Sequence, residues 1–527
     1  MSSTGIVPER RPEADATERF RSQMGRVSRQ SSVFLAGTLF SAAAAYLFKV
    51  YLARTLGAQA LGIYALGMTM VGFVAVFSSL GLPRTALRFV SAYSATGKRD
   101  QLRGFLTRSM AIVLVCNLLL GGALYFAGPW IAVRFYHAPQ LKPYVGFFVA
   151  IMVLGGLGGF LGQVLGGYKD VSRRTIINNF IGSPTMMAAT VILVLAGLGL
   201  RGYIVAQLIG VTLVLTLYFR LVWKLTPRPE HGVGWNAPPF EREVVGFAAA
   251  ALGLAFLDFF IIQADRVMIG HYLEVRQVGI YAVSWSLVAY LSILLNSVNQ
   301  IFAPTISDLH ARGERELLGR MYQTLTKWIF GLTVPLATAM IIFAAPLMRI
   351  FGRDFEAGWA VLVIGALGQL VNCGVGSAGT LLLMSGNQRS LVWVQAGSAV
   401  TTVILDWLLI PHWGILGAAA ASAVTMVGAN LAYLNRVRHK LQISPYNRSY
   451  FGMLIPVLGS VVSLWLVKWL LSAIRPEWAG LAVGLVLAYV SLIGLALLTG
   501  LDSDDRVILR AVWSRIAAAL PGMGVEE

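Results

Sequence analysis

Five ionisable side chains stand inside long apolar runs of this sequence: Lys49, Asp258, Asp265, Arg266 and Asp406. Arg54 and His271 stand at the ends of two such runs. A charge is expensive wherever its run crosses hydrocarbon, so each of these residues needs a reason to be there. Lys49 and Arg266 are basic and suited to an anion through charge-assisted hydrogen bonds. The planar fork of Arg266 can take two oxygens at once. The bland alternative for Lys49 is snorkelling, since it lies about one turn from the end of its run. Asp258 and Asp265 are seven residues apart and share a helix face. Asp258 lies roughly 20 Å from the end of its run at about 1.5 Å per residue, too deep for a short side chain to reach water. A carboxylate at that depth suits either proton or cation coupling or an interhelical hydrogen bond. Asp406, just before Leu409-Ile410-Pro411, reads as structural.

The elements that must position these residues follow from composition. The chain has 527 residues, of which 57% are hydrophobic and 13% charged. Soluble domains carry roughly 25% charged residues. The apolar residues fall in runs of about 20, the length that spans a bilayer as a helix. The net charge of +18 sits in short segments between the runs, which argues against a nucleic-acid partner and for membrane orientation. Cys116 and Cys373 stand alone within runs and have no metal or disulfide spacing. No nucleotide loop or metal constellation is visible, so the reading is a non-enzyme without a cofactor. The first thirty residues are polar and Arg-rich and lead straight into a run, which reads as no cleavable signal peptide.

The expected architecture is an all-α membrane protein of about fourteen transmembrane helices. A cytoplasmic tail (1–32) precedes six helices (33–224), a cytoplasmic linker (225–243), six more (244–440), two further helices (441–500) and an amphipathic cytoplasmic tail (501–527). With the N-terminus inside, 31 of the 42 Lys and Arg residues fall in cytoplasmic segments, 9 fall outside, and Lys49 and Arg266 remain within spans. The excess of basic residues on one side sets the orientation, with both termini cytoplasmic.

The two sets of six helices repeat one another. FKVYLARTLGAQALGIYAL (48–66) matches DRVMIGHYLEVRQVGIYAV (265–283) at a shift of 217, GKRDQLRG (97–104) resembles GERELLGR (313–320), and Pro83 and Pro304 precede those loops. An even number of spans separates the copies, so they share an orientation and are related by an axis along the membrane normal. Lys49 and Arg266 are then equivalent, as are Arg54 and His271. Asn178, Asn179, Asn296, Asn299, Gln300, Gln369 and Asn372 are polar positions within spans. They suit either a hydrophilic path or hydrogen bonds between helices.

Six plus six plus two spans, with ARTLGAQALGIYAL (53–66), ADRVMIGHYLEVRQVGIYAVSWSL (264–287), APTISDLHARGE (303–314), IFGRDF (350–355), LMSGNQR (383–389) and LIPHWGILGAAAAS (409–422), resembles the polysaccharide transporter and Wzx-type oligosaccharide flippase family. That family lies within the multidrug/oligosaccharidyl-lipid/polysaccharide exporter superfamily. The resemblance implies a bacterial inner-membrane flippase. Its cargo would be a polyprenyl-diphosphate-linked oligosaccharide, an O-antigen or exopolysaccharide unit, moved by alternating access. It implies lipid-linked oligosaccharide and membrane lipids as partners, with a glycan polymerase and glycosyltransferases of the same pathway. Lys49, Arg54, Arg266 and His271 are then the expected substrate-binding residues, and Asp258 and Asp265 the expected coupling residues. A flippase for a peptidoglycan lipid precursor and a multidrug/cation antiporter are the alternatives within the superfamily. The basic repeat-equivalent pair favours an anionic cargo over a cationic one.

Overall fold

The computed structural model describes residues 12–226, 240–470, 477–499, 502, 504 and 505, with side chains from residue 41 onward except 477–479. The long apolar runs fold as helices because only a helix pairs every backbone group within one crossing segment. In chain order they are α1 (Pro12–Ser79), α2 (Leu82–Ala95), α3 (Arg99–Trp130), α4 (Val145–Gly167), α5 (Val171–Thr175), α6 (Ser183–Leu193), α7 (Gly199–Leu225) and α8 (Arg242–Tyr272). There follow α9 (Val275–Val288), α10 (Ile293–Ala311), α11 (Arg315–Ile342), α12 (Ala344–Arg349), α13 (Trp359–Val375), α14 (Ala378–Met384), α15 (Gln388–Trp413), α16 (Ile415–Leu441), α17 (Arg448–Gly452), α18 (Leu454–Leu470) and α19 (Glu477–Leu498). No strand occurs among the described residues.

Twelve helical stretches among the described residues are long and apolar enough to cross a membrane. Two of them are much longer than a bilayer needs: Ser41–Ser79, with 39 residues, and Val171–Leu225, with 55. Each contains a break that only glycine adopts easily. Gly57 has φ +80° in the first; Gly197 and Gly199 have φ +85° and +51° in the second. Counting fourteen crossings divides both stretches at these glycines, and that count is a proposal. Large apolar side chains such as Phe126, Phe180, Leu195, Trp223, Trp393 and Trp465 point outward, as a lipid-facing surface requires.

Some boundaries differ from expectation. The helix that carries Lys49 begins at Pro12, within the segment expected to be a polar tail. Residues 358–384, which the sequence reads as one Gly-rich span, form two helices parted at Gly376, which takes φ +69° and where a Cβ would meet the Thr326 side chain. The expected span 175–198 is interrupted by two π-helical segments, Ile176–Gly182 and Val194–Leu198. The amphipathic tail expected at 501–527 lies almost wholly outside the described residues.

The cores show how the two halves meet. At the end assigned to the outside, one apolar cluster draws on both halves, from Leu52, Leu66, Tyr136 and Phe148 to Ile269, Tyr281, Phe351 and Phe355. At the opposite end there are two clusters. The first gathers Phe89, Phe105, Leu161 and Tyr218, and also takes in Val244, Phe247 and Ala248 of α8 from the second half. The other gathers Phe302, Ile306, Tyr322 and Leu441.

The repeat is visible in the contacts themselves. A Cβ on Gly62 would meet the Val275 carbonyl oxygen at 1.9 Å, and a Cβ on Gly279 would meet the Ala58 carbonyl oxygen at 1.9 Å. Shifting by 217 carries Gly62 to Gly279 and Ala58 to Val275, so the two contacts are one contact seen from both halves. Such reciprocity is what a two-fold relation between halves produces. The shared GIYA segments are kept small because two backbones touch there.

Candidate functional site

The two halves place one cation each at their junction. Lys49 projects from α1, and Arg266 from α8 lies within electrostatic reach of it. Both are partly buried. Lys49 has no hydrogen-bond or ion-pair partner among the described residues. The Arg266 Nη1 donates to Gln263 Oε1 at 2.7 Å, and Thr69 of the other half donates to the same oxygen at 3.3 Å. The Arg266 Nε is buried and has no acceptor. Tyr46, three residues before Lys49, packs edge-on against Tyr290 and Phe351 with ring centroids 6.2 and 5.5 Å away. Two like charges held together with an unsatisfied guanidinium donor form a site for an anion.

Asp265 lies within electrostatic reach of Arg266. Its carboxylate accepts from the Tyr281 hydroxyl at 2.5 Å and from the Arg266 backbone N–H at 2.7 Å, and it forms no ion pair with the guanidinium. It is 3% exposed and points into the second half. Asp406 on α15 lies close enough for the two carboxyl groups to feel one another. Asp406 is fully buried, and neither of its oxygens has a donor. Asp406, expected to be structural, is thus a buried carboxyl without a donor among the described residues. The sequence could not show this, because Asp265 and Asp406 are 141 residues apart and meet only through the packing of α8 against α15.

The other expected residues go elsewhere. Arg54 is exposed and its Nε donates to the Ile350 carbonyl at 2.7 Å. His271 places Nδ1 2.8 Å from the Phe135 carbonyl and stacks on the Phe135 ring. Each reaches across to the opposite half, and Phe135 and Ile350 match to within two residues under the repeat. This second reciprocal contact braces the outer end and leaves neither side chain beside Lys49. Asp258, expected to serve either coupling or an interhelical hydrogen bond, forms an ion pair with Arg84 of α2 at 2.6 Å. Sequence reading put Arg84 in a loop. It misses this partner because α2 begins at Leu82, inside the bundle and against α8. Arg88 and Glu243 pair beside it at 2.6 Å.

A family model described as a polysaccharide biosynthesis protein matches residues 51–357, more than half of the chain. The chain belongs to that family. This polysaccharide biosynthesis family member is 22% identical over 428 residues to a probable low-salt glycan biosynthesis flippase, Agl15, of Haloferax volcanii. That match covers 80% of this chain and 84% of the relative. It is also 25% identical over 191 residues to a probable flippase, AglR, of the same organism, covering 34% of this chain and 39% of the relative. Its fold is similar to the lipid II flippase MurJ in an inward closed conformation, with TM-score 0.63, 14% identity and coverage of 88% and 98% of the two chains. It is similar also to an inward-facing multidrug resistance MATE family transporter of the MOP superfamily, with TM-score 0.60, 13% identity and coverage of 75% and 94%. The expected fold class and family are therefore shown.

Proposed function

We propose that this chain is a flippase of the bacterial inner membrane, with both termini cytoplasmic, that moves a polyprenyl-diphosphate-linked oligosaccharide by alternating access. The observation that carries this reading is the Lys49–Arg266 pair. The pair stands at equivalent positions of the two halves, makes no ion pair among the described residues, and lies where the halves join. A diphosphate that has lost its water needs such donors. In this reading the head group crosses between the halves while the lipid stays in the bilayer. The divided core at the inner end suits a cleft that admits it from the cytoplasmic side. No bond is made or broken. Glycosyltransferases and a polymerase of the same pathway supply and consume the cargo. The names of the two Haloferax volcanii relatives support a flippase, and that of Agl15 a glycan-linked cargo.

Coupling falls to Asp265 and Asp406 in this reading, in place of Asp258. A buried carboxylate without a donor is unfavourable by several kcal/mol unless a proton or cation joins it. Asp258 already has Arg84. Asp406→Asn should flatten the transport response to an imposed proton or cation gradient, and Asp258→Asn should leave that response in place. The opposite pattern would return coupling to Asp258.

The direct test uses proteoliposomes loaded with three probes. These are a fluorescent polyprenyl-diphosphate oligosaccharide, a peptidoglycan lipid precursor and a cationic dye. Protein-dependent flipping of the first, well above the other two, is the expected result. Preference for the precursor or the dye would replace the reading with the corresponding alternative.

A further inference from the structure

A cavity of about 540 Å³ lies in the first half, away from the Lys49–Arg266 pair, between α4, the α5–α6 stretch and α7. Its size is that of a small-molecule site, which typically spans about 300–1,000 Å³. The lining is unusual for a cavity inside an apolar bundle. It includes Arg174, Gln163, Asn178, Asn179 and Gln207, and contains no acidic side chain. The Arg174 guanidinium makes a long contact to Gln163 Oε1, at 3.5 Å, lies beside the Tyr218 hydroxyl, and has no carboxylate partner among the described residues. The amides of Asn178 and Asn179 bond only to each other, at 3.0 Å.

The backbone around the cavity is shaped to keep it open. Gly155, Gly158, Gly159 and Gly162 recur at helical spacing on one face of α4 and line it. A Cβ on Gly155, Gly158 or Gly159 would meet nothing within 4 Å, so packing does not require glycine there. Opposite them, the Ile176–Gly182 segment is π-helical. An extra residue in that turn re-aims Asn178 and Asn179, and such bulges recur at binding sites.

We infer that this cavity is a second substrate subsite, taking a sugar ring that carries a carboxylate. Arg174 holds the anionic group, and the amides of Gln163, Asn178, Asn179 and Gln207 bond ring hydroxyls. The glycine face of α4 admits the flat of the ring. The inference rests on the flippase reading for its carbohydrate class. It adds that the cargo contains an acidic sugar, read by the first half separately from the diphosphate.

The test is saturation-transfer NMR on the full chain in nanodiscs, with methyl β-glucuronide, methyl β-glucoside and glycerol phosphate as probes. The glucuronide should be saturated more strongly than the glucoside. Its signal should fall roughly tenfold in Arg174→Ala, the loss of a charge-assisted hydrogen bond, and in Gly159→Leu, which fills the cavity. It should partly recover in Arg174→Lys. Melting temperatures should match the wild type, because neither variant meets a packed neighbour. Lys49→Ala/Arg266→Ala should retain the glucuronide signal. Equal saturation of glucuronide and glucoside, or no change in Arg174→Ala and Gly159→Leu, overturns the subsite. Stronger saturation of glycerol phosphate, displaced by anionic phospholipid, would make the cavity a lipid-headgroup site and also overturn it. Loss of flipping in the Lys49 and Arg266 variants alongside either result would leave the flippase reading standing without the subsite.

Discussion

At one end of the bundle the two halves share one large apolar core, and at the other the core is divided in two, with α8 of the second half packed onto the first half's cluster. The shared end is held by contacts that come in equivalent pairs: Gly62 with Val275 and Gly279 with Ala58, Arg54 with Ile350 and His271 with Phe135. The inner end is joined on one side, where α2 meets α8, by the close approach of Gly81 to the Ala248 carbonyl, by Phe89 against Phe247, and by two ion pairs, Arg84 with Asp258 and Arg88 with Glu243, that are a third to a half or more exposed. Backbone-to-backbone packing is specific and hard to exchange. Exposed ion pairs contribute only about 0–1 kcal/mol each and are easily remade. With the orientation proposed from the basic-residue count, the continuous core lies toward the outside and the divided core toward the inside. The difference between the two ends is what alternating access must invert.

The largest effect is expected at the reciprocal glycines. Gly62→Leu or Gly279→Leu drives a side chain into a backbone carbonyl and should destabilise the outer end by about 3 kcal/mol or more. Detergent melting and reconstituted transport should both fall sharply. A wild-type melting temperature in both variants would break the comparison. A slightly smaller effect is expected at the inner end of the second half. There Asp505 accepts from Lys327 at 2.6 Å and from the Trp328 indole at 2.9 Å. The two charged residues are 4% and 5% exposed. Asp505→Ala strands a buried ammonium and should cost about 3 kcal/mol, softened by whatever water reaches the inner end. Melting unchanged in Asp505→Ala would show that the tail contact holds nothing.

At the inner junction, Arg88→Ala should change melting by less than about 1 kcal/mol. A short bismaleimide link between cysteines placed at 88 and 243 should nevertheless stop transport, because it forbids the halves from moving. Full transport by the linked protein would show that this seam stays shut throughout the cycle. The orientation itself is checked with single cysteines in intact cells. Cysteines at residues 98 and 314 should be shielded from an impermeant thiol reagent, and one at residue 138 should be labelled. Labelling of the first two would exchange inside for outside throughout.

Much of the scaffold was legible from one sequence because hydrophobic run length and basic-residue asymmetry are local signals. The repeat was legible because GIYA recurs at a fixed shift, and with it the equivalence of Lys49 and Arg266. What the repeat could not show was direction. Arg54 and His271 are as equivalent as the cation pair, yet they turn toward backbone carbonyls of the opposite half. Equivalence places residues at one depth; rotation about each helix decides what they face. Arg84 escaped notice because loop and helix are hard to divide at Leu82-Pro83. The missing donors of Asp406 escaped because an absent partner has no trace in a sequence. The cavity beside Arg174 depends on a π-helical turn that no residue pattern announced, although Asn178 and Asn179 stood out as polar positions.

The central claim is that Lys49 and Arg266 jointly hold the anionic head of the cargo, and flipping by well-folded variants tests it most directly. Arg266→Ala should abolish flipping or nearly so, and Arg266→Lys should recover part of it, since an ammonium replaces two directed donors with a point charge. Lys49→Ala should weaken flipping less, and Lys49→Arg should be tolerated. Melting curves run in parallel separate loss of function from loss of fold, because Asp265 accepts from the Arg266 backbone and could be disturbed. Wild-type flipping by folded Lys49→Ala, Arg266→Ala and the double variant would contradict the account and leave both cations as parts of the packing between halves.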